Sequence, residues 1–291
     1  VIKNKSKIPK DFDIIISVSL PFTSHVCASI LKKSMSSKWF MDIGDPFSLK
    51  DKSFENNRYL YSFFNFYCEK KYFRTADKVI FTHEEASELH MKKFKISKSK
   101  LVIGHPISII NPHFIDSSYK FRYINLPIKI GYFGIFTDGV RDPYNYLNTV
   151  ASSLKDNIHH YWYIKDESIK YFSSFKNLNT HVFKTMIPRE DALREMINNF
   201  HILLSIGNKN KYQLPSKVIE YISLGKPVLH YAEILSDPMY KFETLFDNLK
   251  IIDKNTKEKD LLEFLKIFQS NQVEFNYKEF ENYFSPKHII D

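Results

Sequence analysis

The stretch QLPSKVIEYISLGKPVLHY, residues 213–231, predicts a short helix that leads directly into a strand. Pro215 suits the first helical position, where its missing N–H group is not needed. Gly225 suits the left-handed residue that follows a last helical turn. The apolar run at 228–231 then predicts a strand. A helix followed at once by a strand is typical of α/β folds with parallel sheets.

Strands and helices alternate in the same way along most of the chain, which predicts an α/β protein. The stretch 106–127 interrupts the alternation, contains three prolines and shows no periodicity, so it predicts a linker. We therefore expect an N-terminal domain at 1–125, a second domain at 126–275, and a C-terminal segment at 276–291 that returns to the first domain. Predicted strands lie at 13–19, 38–42, 78–82, 101–104, 128–133, 160–164, 181–184, 201–206, 227–231 and 249–252, and predicted helices at 24–34, 55–75, 84–93, 143–154, 189–199, 215–224 and 259–269.

The composition limits the classes of protein to consider. The chain has 291 residues, of which 43% are hydrophobic, so each of two domains can bury a core. The net charge of +9 favours anionic partners, although scattered lysines on a solvated surface explain it equally well. Cys27 and Cys68 do not form a CxxC motif, which favours a reducing compartment. No apolar run approaches the ~18 residues of a membrane span. We expect a cytoplasmic protein, either free or peripheral on the inner face of the plasma membrane.

Lys217 and Glu220 are three residues apart near the start of the helix at 215–224, so they share one face. In an open α/β sheet, the loop before such a helix lies at the carboxyl ends of the strands, where ligands bind. A lysine beside free helix N–H groups suits a phosphate, and a carboxylate one turn deeper suits sugar or ribose hydroxyls. The alternative is an ordinary surface ion pair, which would stabilise the helix by only a few tenths of a kcal/mol.

Arg141 follows the strand at 128–133 and the loop that begins at Gly134. Asp142 suits an N-cap and Pro143 a first helical position, so Arg141 would lie just outside a helix N-terminus. An anion is favoured there. The alternative is a loop arginine in solvent.

The sequence offers no metal site. His83 has Ser87 four residues on, so the two-histidine helical face of a zinc motif is missing. The acidic pair at 11 and 13 precedes a strand instead of following it, unlike the metal-binding DxD of GT-A glycosyltransferases. Neither GxGxxG nor GxxxxGK[ST] occurs, which argues against NAD and P-loop chemistry. We expect neither a cofactor nor a metal.

Several stretches in order resemble GT-B glycosyltransferases, specifically the retaining family 4 enzymes of bacterial surface-polysaccharide assembly. The C-terminal half of that family is similar to 128–141, to MIPREDALREMINNFHILLSI at 186–206 and to LPSKVIEYISLGKPVL at 214–229. The later part of its N-terminal domain is similar to DFDIIISVSLPFTSHVCASILKK at 11–33, KWFMDIGDPF at 38–47 and ADKVIFTHEEASELH at 76–90.

The resemblance implies two Rossmann-like domains facing a cleft, with a UDP- or GDP-linked sugar held mainly by the second domain. It implies that Arg141 binds the donor diphosphate, that Glu220 holds the ribose hydroxyls, and that segment 186–190 lies near the base. It also implies a saccharide or lipid-linked acceptor and retention of configuration without a metal. The donor-binding candidates on this reading are Gly134, Arg141, Pro188, Arg189, Ser216, Lys217 and Glu220.

No catalytic residue is identified by this resemblance. His25 and Asp45 are candidates for contacts to the donor or acceptor sugar, but a packed helix-start histidine and a turn-capping aspartate explain them as well. The chain departs from the family at Tyr212, which occupies the place of the first Glu of an E-x7-E motif ending at Glu220. The family's opening strand and Gly-rich loop would also precede residue 11 by several dozen residues.

The resemblance leaves two functions open. The first is a glycosyltransferase that uses a nucleotide-sugar. The second is a non-catalytic GT-B-like subunit that binds a nucleotide-sugar or a partner transferase, which the tyrosine at 212 favours. We do not expect a nucleic-acid-binding protein, because the aromatic residues fall mostly at apolar strand and helix positions.

Overall fold

The chain divides into two compact units. The first comprises Val1–His105 with Lys211–Leu214, and the second comprises Pro106–Asn210 with Pro215–Asp291. The computed structural model describes residues 7–19, 21–49, 58–106, 127–151, 158–175, 180–257, 259–260, 263–264, 266 and 276–285.

Several predicted features fall wholly or partly outside the described residues, among them most of the linker at 106–127 and one end of each of the helices at 55–75 and 143–154. The predicted domain boundary at 125/126 lies outside them, as does most of the predicted helix at 259–269. The predicted C-terminal segment is described only over 276–285, and those residues belong to the second unit. No helix of the described residues is long and apolar enough to cross a membrane.

The first unit is built on a parallel four-stranded sheet in the order β1-β2-β3-β4. A segment that contains a helix connects each strand to the next, because parallel neighbours need such a crossover. The strand and helix types agree with those predicted from the sequence. The elements are β1 (Ile14–Ser19), α1 (Thr23–Lys32), β2 (Lys38–Ile43), α2 (Arg58–Thr75), β3 (Lys78–Phe81), α3 (Glu84–Phe94) and β4 (Leu101–Ile103).

The three helices of the first unit pack on the same face of its sheet. Ala28 of α1, Phe73 of α2 and Phe94 of α3 form one buried cluster with Trp39 and Phe81 of the strands. The opposite face of β1 differs from what its sequence predicts, since a run made mostly of β-branched apolar residues indicates a strand buried on both sides. Its residues Ile14, Ile16 and Val18 are instead 47%, 65% and 50% exposed, because β1 is an edge strand of the described sheet and the helices cover only the other face.

The first unit also includes four residues from far along the chain, Lys211–Leu214. The ring of His83 hydrogen-bonds through Nε2 to the Lys211 carbonyl, at 2.9 Å. The side-chain amide of Gln213 donates to the Asp45 carboxylate. This segment, which includes Tyr212, is therefore anchored by residues that follow β2 and β3.

The second unit is built on a parallel six-stranded sheet in the order β10-β9-β8-β5-β6-β7. This is the strand order of a dinucleotide-binding Rossmann sheet, and the order reverses between the neighbours β5 and β8. The elements are β5 (Ile128–Phe133), α4 (Tyr144–Tyr146), β6 (Ile158–Ile164), β7 (His181–Thr185), α5 (Arg189–Asn199), β8 (Ile202–Ile206), α6 (Ser216–Ser223), β9 (Val228–Tyr231), α7 (Tyr240–Glu243), β10 (Leu249–Ile252) and α8 (Tyr277–Phe284).

Two predicted helices of the second unit differ in their bounds. The helix predicted at 143–154 is one short turn, α4, followed by a π-helical turn at Leu147–Ala151. Helix α6 begins one residue later than predicted, with Pro215 as its N-cap, and Gly225 is left-handed as predicted, with φ of 65°. Both helix starts are shifted because the proline takes the capping position itself.

The core of the second unit is largely aromatic. Trp162 and Tyr146 are fully buried between the sheet and its helices. On the other side, the Phe200 ring lies against the backbone of Gly131, where an added Cβ would come within 2.8 Å of the ring. Close approach of a ring to the strand is therefore what requires glycine there.

Candidate functional site

The candidate site of the second unit lies in the loops that follow β5 and β8. The strands are parallel neighbours, so both loops leave the same edge of the sheet, at the point where the strand order reverses. Ligands bind at this point in open α/β sheets. The loop after β5 carries Gly134 and Arg141, and the loop after β8 leads into α6 with Ser216, Lys217 and Glu220.

Lys217 is fixed to the end of β5. Its ammonium donates to the main-chain carbonyl of Phe133 at 2.7 Å, and the hydroxyl of Tyr221, one helical turn further along, donates to the same carbonyl at 3.0 Å. Burial lowers the pKa of Lys217, the Glu220 carboxylate raises it by a smaller amount, and Arg141 lowers it further. The charges of both Glu220 and Arg141 therefore act on the Lys217 ammonium.

Arg141 is fixed by the loop after β8. Its Nε and Nη2 groups donate to the side-chain oxygen of Asn208, at 3.2 and 2.8 Å. Arg141 also lies near the buried hydroxyl of Tyr132, whose pKa is raised by burial and lowered by the arginine charge. Gly134 leaves room for that hydroxyl, because a Cβ on it would lie 2.7 Å from the Tyr132 oxygen.

The sequence predicts Asp142 as the N-cap of α4, but Pro143 occupies that position and Asp142 precedes it. Its carboxylate accepts from the backbone N–H of Tyr144 at 3.1 Å, at the start of α4. The same carboxylate forms an ion pair with Lys209 of the loop after β8. The two loops are thus joined by the side-chain contacts of Arg141 with Asn208 and of Lys209 with Asp142, and by the backbone N–H of Lys209, which donates to the Val140 carbonyl at 2.7 Å.

Glu220 is paired with Arg189, the first residue of α5. The Arg189 Nη2 and Nε groups donate to one oxygen of Glu220, Oε1, at 2.6 and 2.9 Å. The Glu220 side chain is only 19% exposed, whereas that of Arg189 is 67% exposed. Pro188 is the N-cap of α5. Segment 186–190, which the resemblance places near the base, is therefore in contact through Arg189 with Glu220, which the resemblance assigns to the ribose.

The alternative of an ordinary surface ion pair between Lys217 and Glu220 does not describe their contacts. The lysine bonds to a backbone carbonyl and the glutamate to an arginine of another helix. Arg141, Lys209, Lys217 and Arg189 supply four positive charges against the two carboxylates of Asp142 and Glu220. This part of the second unit therefore suits a ligand with more than one negative charge.

His25 and Asp45 belong to the first unit and have local partners there. The ring of His25 is fully buried and its Nδ1 bonds to the Ser17 hydroxyl at 2.8 Å, while burial lowers its pKa to about 4. It is therefore neutral near pH 7, as a packed helix-start histidine would be. Asp45 accepts from Gln213.

Three contacts of the candidate site could not be identified from the sequence. The Phe133 carbonyl is a main-chain atom and has no residue signal. Asn208 and Tyr132 are ordinary residues in a loop and a strand, and only the fold brings them to Arg141. Tyr221 lies four residues after Lys217, and this spacing could have indicated that the two side chains share a helical face.

A separate hollow of about 160 Å³ in the second unit contains none of the predicted site residues. Its lining includes Lys129, Tyr163 and Glu195. The Tyr163 hydroxyl donates to the Glu195 carboxylate at 2.9 Å, so these polar groups satisfy each other. Within the described residues, no group of three or more His, Cys, Asp or Glu side chains is placed to hold a metal.

No protein-family model matches the sequence, and no curated protein matches it. Solved structures do match the fold. Sucrose-phosphate synthase from Thermosynechococcus elongatus is similar with a TM-score of 0.68 at 12% identity, covering 96% of this chain and 71% of that one. Anabaena HepE in complex with UDP and glucose has a TM-score of 0.67 at 10% identity, covering 99% and 78%.

The lipopolysaccharide outer core galactosyltransferase WaaB is similar with a TM-score of 0.56 at 13% identity, covering 97% of this chain and 72% of that one. At such low identity the similarity concerns the fold and not the activity. Together with the two parallel sheets, it shows that this chain has the GT-B fold, built from two Rossmann-like units.

Proposed function

We propose that the protein is a glycosyltransferase that moves a sugar from a nucleoside diphosphate donor to a hydroxyl of a saccharide or lipid-linked acceptor in surface-polysaccharide assembly. The observation that carries the proposal is the meeting of Arg141, Lys217 and the Arg189–Glu220 pair where the strand order of the second sheet reverses. Similarity of fold to a UDP complex and to a galactosyltransferase supports it.

The diphosphate would be held by Lys217 and Arg141. An ammonium has three donors, and Lys217 uses one on the Phe133 carbonyl, so two remain for phosphate oxygens. Arg141 uses its Nε and one Nη2 donor on Asn208, and its other N–H groups remain for the ligand. As the bond from the sugar to the diphosphate breaks, negative charge grows on the leaving phosphate, and these fixed cations stabilise it. We propose that they act in place of a metal.

The ribose would be held by Glu220. Both bonds from Arg189 end on Oε1, so we assign Oε2 to the ribose hydroxyls. Arg189 and Pro188, at the start of α5, would then lie beside the base, and Ser216 at the start of α6 beside a phosphate. By resemblance to retaining family 4 enzymes, we propose transfer on one face of the sugar with assistance from the leaving phosphate.

The test is calorimetric titration of the purified protein with UDP, GDP and CMP. We expect one of the diphosphates to bind, and Lys217→Met, Arg141→Gln and Glu220→Gln each to weaken it about ten- to a hundredfold, the effect of losing a hydrogen bond to a charged group. Lys184→Met and Glu195→Gln are matched controls in the same unit and should bind normally. Chelation of metals with EDTA should leave the affinity unchanged. If no nucleotide binds, or if the controls are weakened equally, the proposed site is wrong.

Tyr212 favours a second candidate function, because the family's first motif glutamate is replaced there. On this alternative the protein binds a nucleotide-sugar or a partner transferase without turnover. The two functions differ in whether the protein slowly hydrolyses the sugar–phosphate bond of the donor. This hydrolysis is measured as released UDP or GDP. Hydrolysis that is lost in Lys217→Met supports the enzyme, and tight binding without any hydrolysis or transfer supports the subunit.

A further inference from the structure

Helix α2 of the first unit has aromatic side chains on two opposite sides. On the inner side, Phe73 is fully buried, and Phe66 stacks on Phe94 with ring centroids 4.7 Å apart. On the outer side, Phe63 and Phe64 are 73% and 62% exposed. Large aromatic side chains grouped on an exposed surface often mark an interaction site. The outer side therefore has the composition of a surface that binds a partner.

The exposed residues form one continuous stripe, which we call the outward stripe: Phe63, Phe64, Tyr67, Lys71 and Arg74. Each is three or four residues from the next neighbour on the helix surface, so the side chains adjoin. All five are exposed, Tyr67 to 59%. The stripe is aromatic in its first half and basic in its second. Because α1, α2 and α3 cover the same face of the sheet, the outward stripe points away from both the sheet and the core.

The charge on the outward stripe has a single sign. Between 61 and 75 the chain has one acidic residue, Glu69, and its side chain is fully buried on the inner side of the helix. At the end of α2, Lys100 donates to the carbonyls of Arg74 and Ala76 at 2.7 Å, which adds another positive charge. A partner for this surface must therefore accept both aromatic rings and cations.

We propose that the outward stripe docks on an anionic lipid surface. Phenylalanine and tyrosine rings partition into the interfacial layer of a bilayer, and lysine and arginine bind the phosphates of anionic lipids. The complementary charge is what favours lipid over a protein partner. The biological role of this docking rests on the proposed function, since a lipid-linked acceptor lies in a membrane surface. The test of the docking does not involve the donor site.

The experiment is co-sedimentation of the protein with vesicles of phosphatidylcholine, with and without phosphatidylglycerol. We expect binding to the anionic vesicles that weakens as salt is added. The double variant Lys71→Gln, Arg74→Gln should bind about thirtyfold more weakly, from the loss of two lipid-facing cations. The double variant Phe63→Ser, Phe64→Ser should lose binding.

Matched controls test whether the effect is specific to the stripe. Lys92→Gln with Lys93→Gln removes the same charge from exposed positions of α3, and Leu235→Ser removes an apolar side chain that is 76% exposed in the second unit. Both should bind vesicles as the unmodified protein does. Circular dichroism checks that the stripe variants are folded. Titration with UDP or GDP measures donor binding independently, so failure of the proposed donor site is distinguished from failure of lipid binding.

Three outcomes overturn the proposal. The first is no binding of the unmodified protein to either vesicle. The second is an equal loss of binding in the α3 control, which would indicate attraction by net charge alone. The third is self-association, seen by size exclusion, that disappears in Phe63→Ser, Phe64→Ser without any vesicle binding, which would make a second copy of this chain the occupant.

Discussion

Replacing Glu69 by glutamine should remove a pH dependence of stability from the first unit. The Glu69 side chain is fully buried, and burial raises the pKa of its carboxyl group from 4.5 to about 7, although hydrogen bonds from Ser48 and Phe47 act in the opposite direction. The nearest titratable partner is His90, with Nε2 4.0 Å from the Glu69 oxygen. Burial lowers the pKa of His90 to about 4, so it supplies no positive charge near pH 7.

The sign and size of the effect follow from the two pKa values. A carboxyl group with a higher pKa in the folded state binds more protons when folded, so the free energy of unfolding falls as pH rises between the unfolded and folded values. For Glu69 that window runs from 4.5 to about 7. At about 1.4 kcal/mol for each pKa unit, the fall amounts to about 3 kcal/mol. Glutamine does not titrate, and its carbonyl oxygen can still accept from Ser48.

The assay is urea unfolding at a series of pH values, followed by tryptophan fluorescence. The chain has two tryptophans, Trp39 in the first unit and Trp162 in the second. A Trp162→Phe background therefore reports on the first unit. We expect Glu69→Gln and the parent to be similar at pH 4 and the variant to be more stable by up to about 3 kcal/mol at pH 8.

The control is Glu88→Gln, which removes an exposed carboxylate of the same unit. Its stability should follow the parent at every pH. The reasoning fails if Glu69→Gln follows the parent too, or if the variant loses stability relative to the parent as the pH rises.

Three further substitutions test other contacts. Gly131→Ala should lower the free energy of unfolding by about 1–3 kcal/mol, because the added methyl group forces the Phe200 ring aside. Calorimetry measures this, and an unchanged melting temperature would mean that the ring moves freely. Since the pKa of His25 is lowered from 6.5 to about 4, its contribution to the free energy of unfolding should fall as pH falls through that window, opposite in sign to that of Glu69. His25→Gln should therefore gain stability relative to the parent as the pH is lowered from 6.5 to about 4 in urea unfolding, and parallel curves would contradict the burial argument. Asn276→Ala should lower the free energy of unfolding by about 1 kcal/mol, because the Asn276 side chain caps α8 by accepting from the Glu279 N–H at 3.0 Å. Hydrogen-exchange protection in α8 that is unchanged by the substitution would contradict this.

Most of the fold could be predicted from the sequence because its strands are short apolar runs with clear boundaries. The segment Ile202–Ile206 is buried at every position, and α5 has the bounds predicted for it, 189–199. Parallel sheets leave this kind of signal, since both faces of a central strand are covered. The same rule failed at β1, whose run is also mostly apolar but whose outer face is exposed, because the packing of helices on one face or both is a property of the fold and not of the strand.

The candidate site could be predicted only in part. Spacing along α6 placed Lys217 and Glu220 on one helix, and the helix-start pattern near 142 drew attention to Arg141. The partners of these residues were not predictable, since Asn208 is 67 residues from Arg141 and Arg189 is 31 residues from Glu220. Such contacts depend on which strands are neighbours. The inclusion of Lys211–Leu214 in the first unit also has no local signal.

The acceptor shared by Lys217 and Tyr221 is a peptide oxygen, so it is invisible to mutational scanning. Any side chain at 133 leaves it in place, and damage from substitutions there would report on the ring stacked against Tyr163, 4.3 Å away, instead of on the anchor. Only a change to the polypeptide backbone addresses it. An amide-to-ester exchange between 133 and 134 weakens that oxygen as an acceptor and also removes the Gly134 N–H, which donates to the Tyr163 carbonyl at 3.2 Å. It would loosen α6 from β5 while every side chain stays the same.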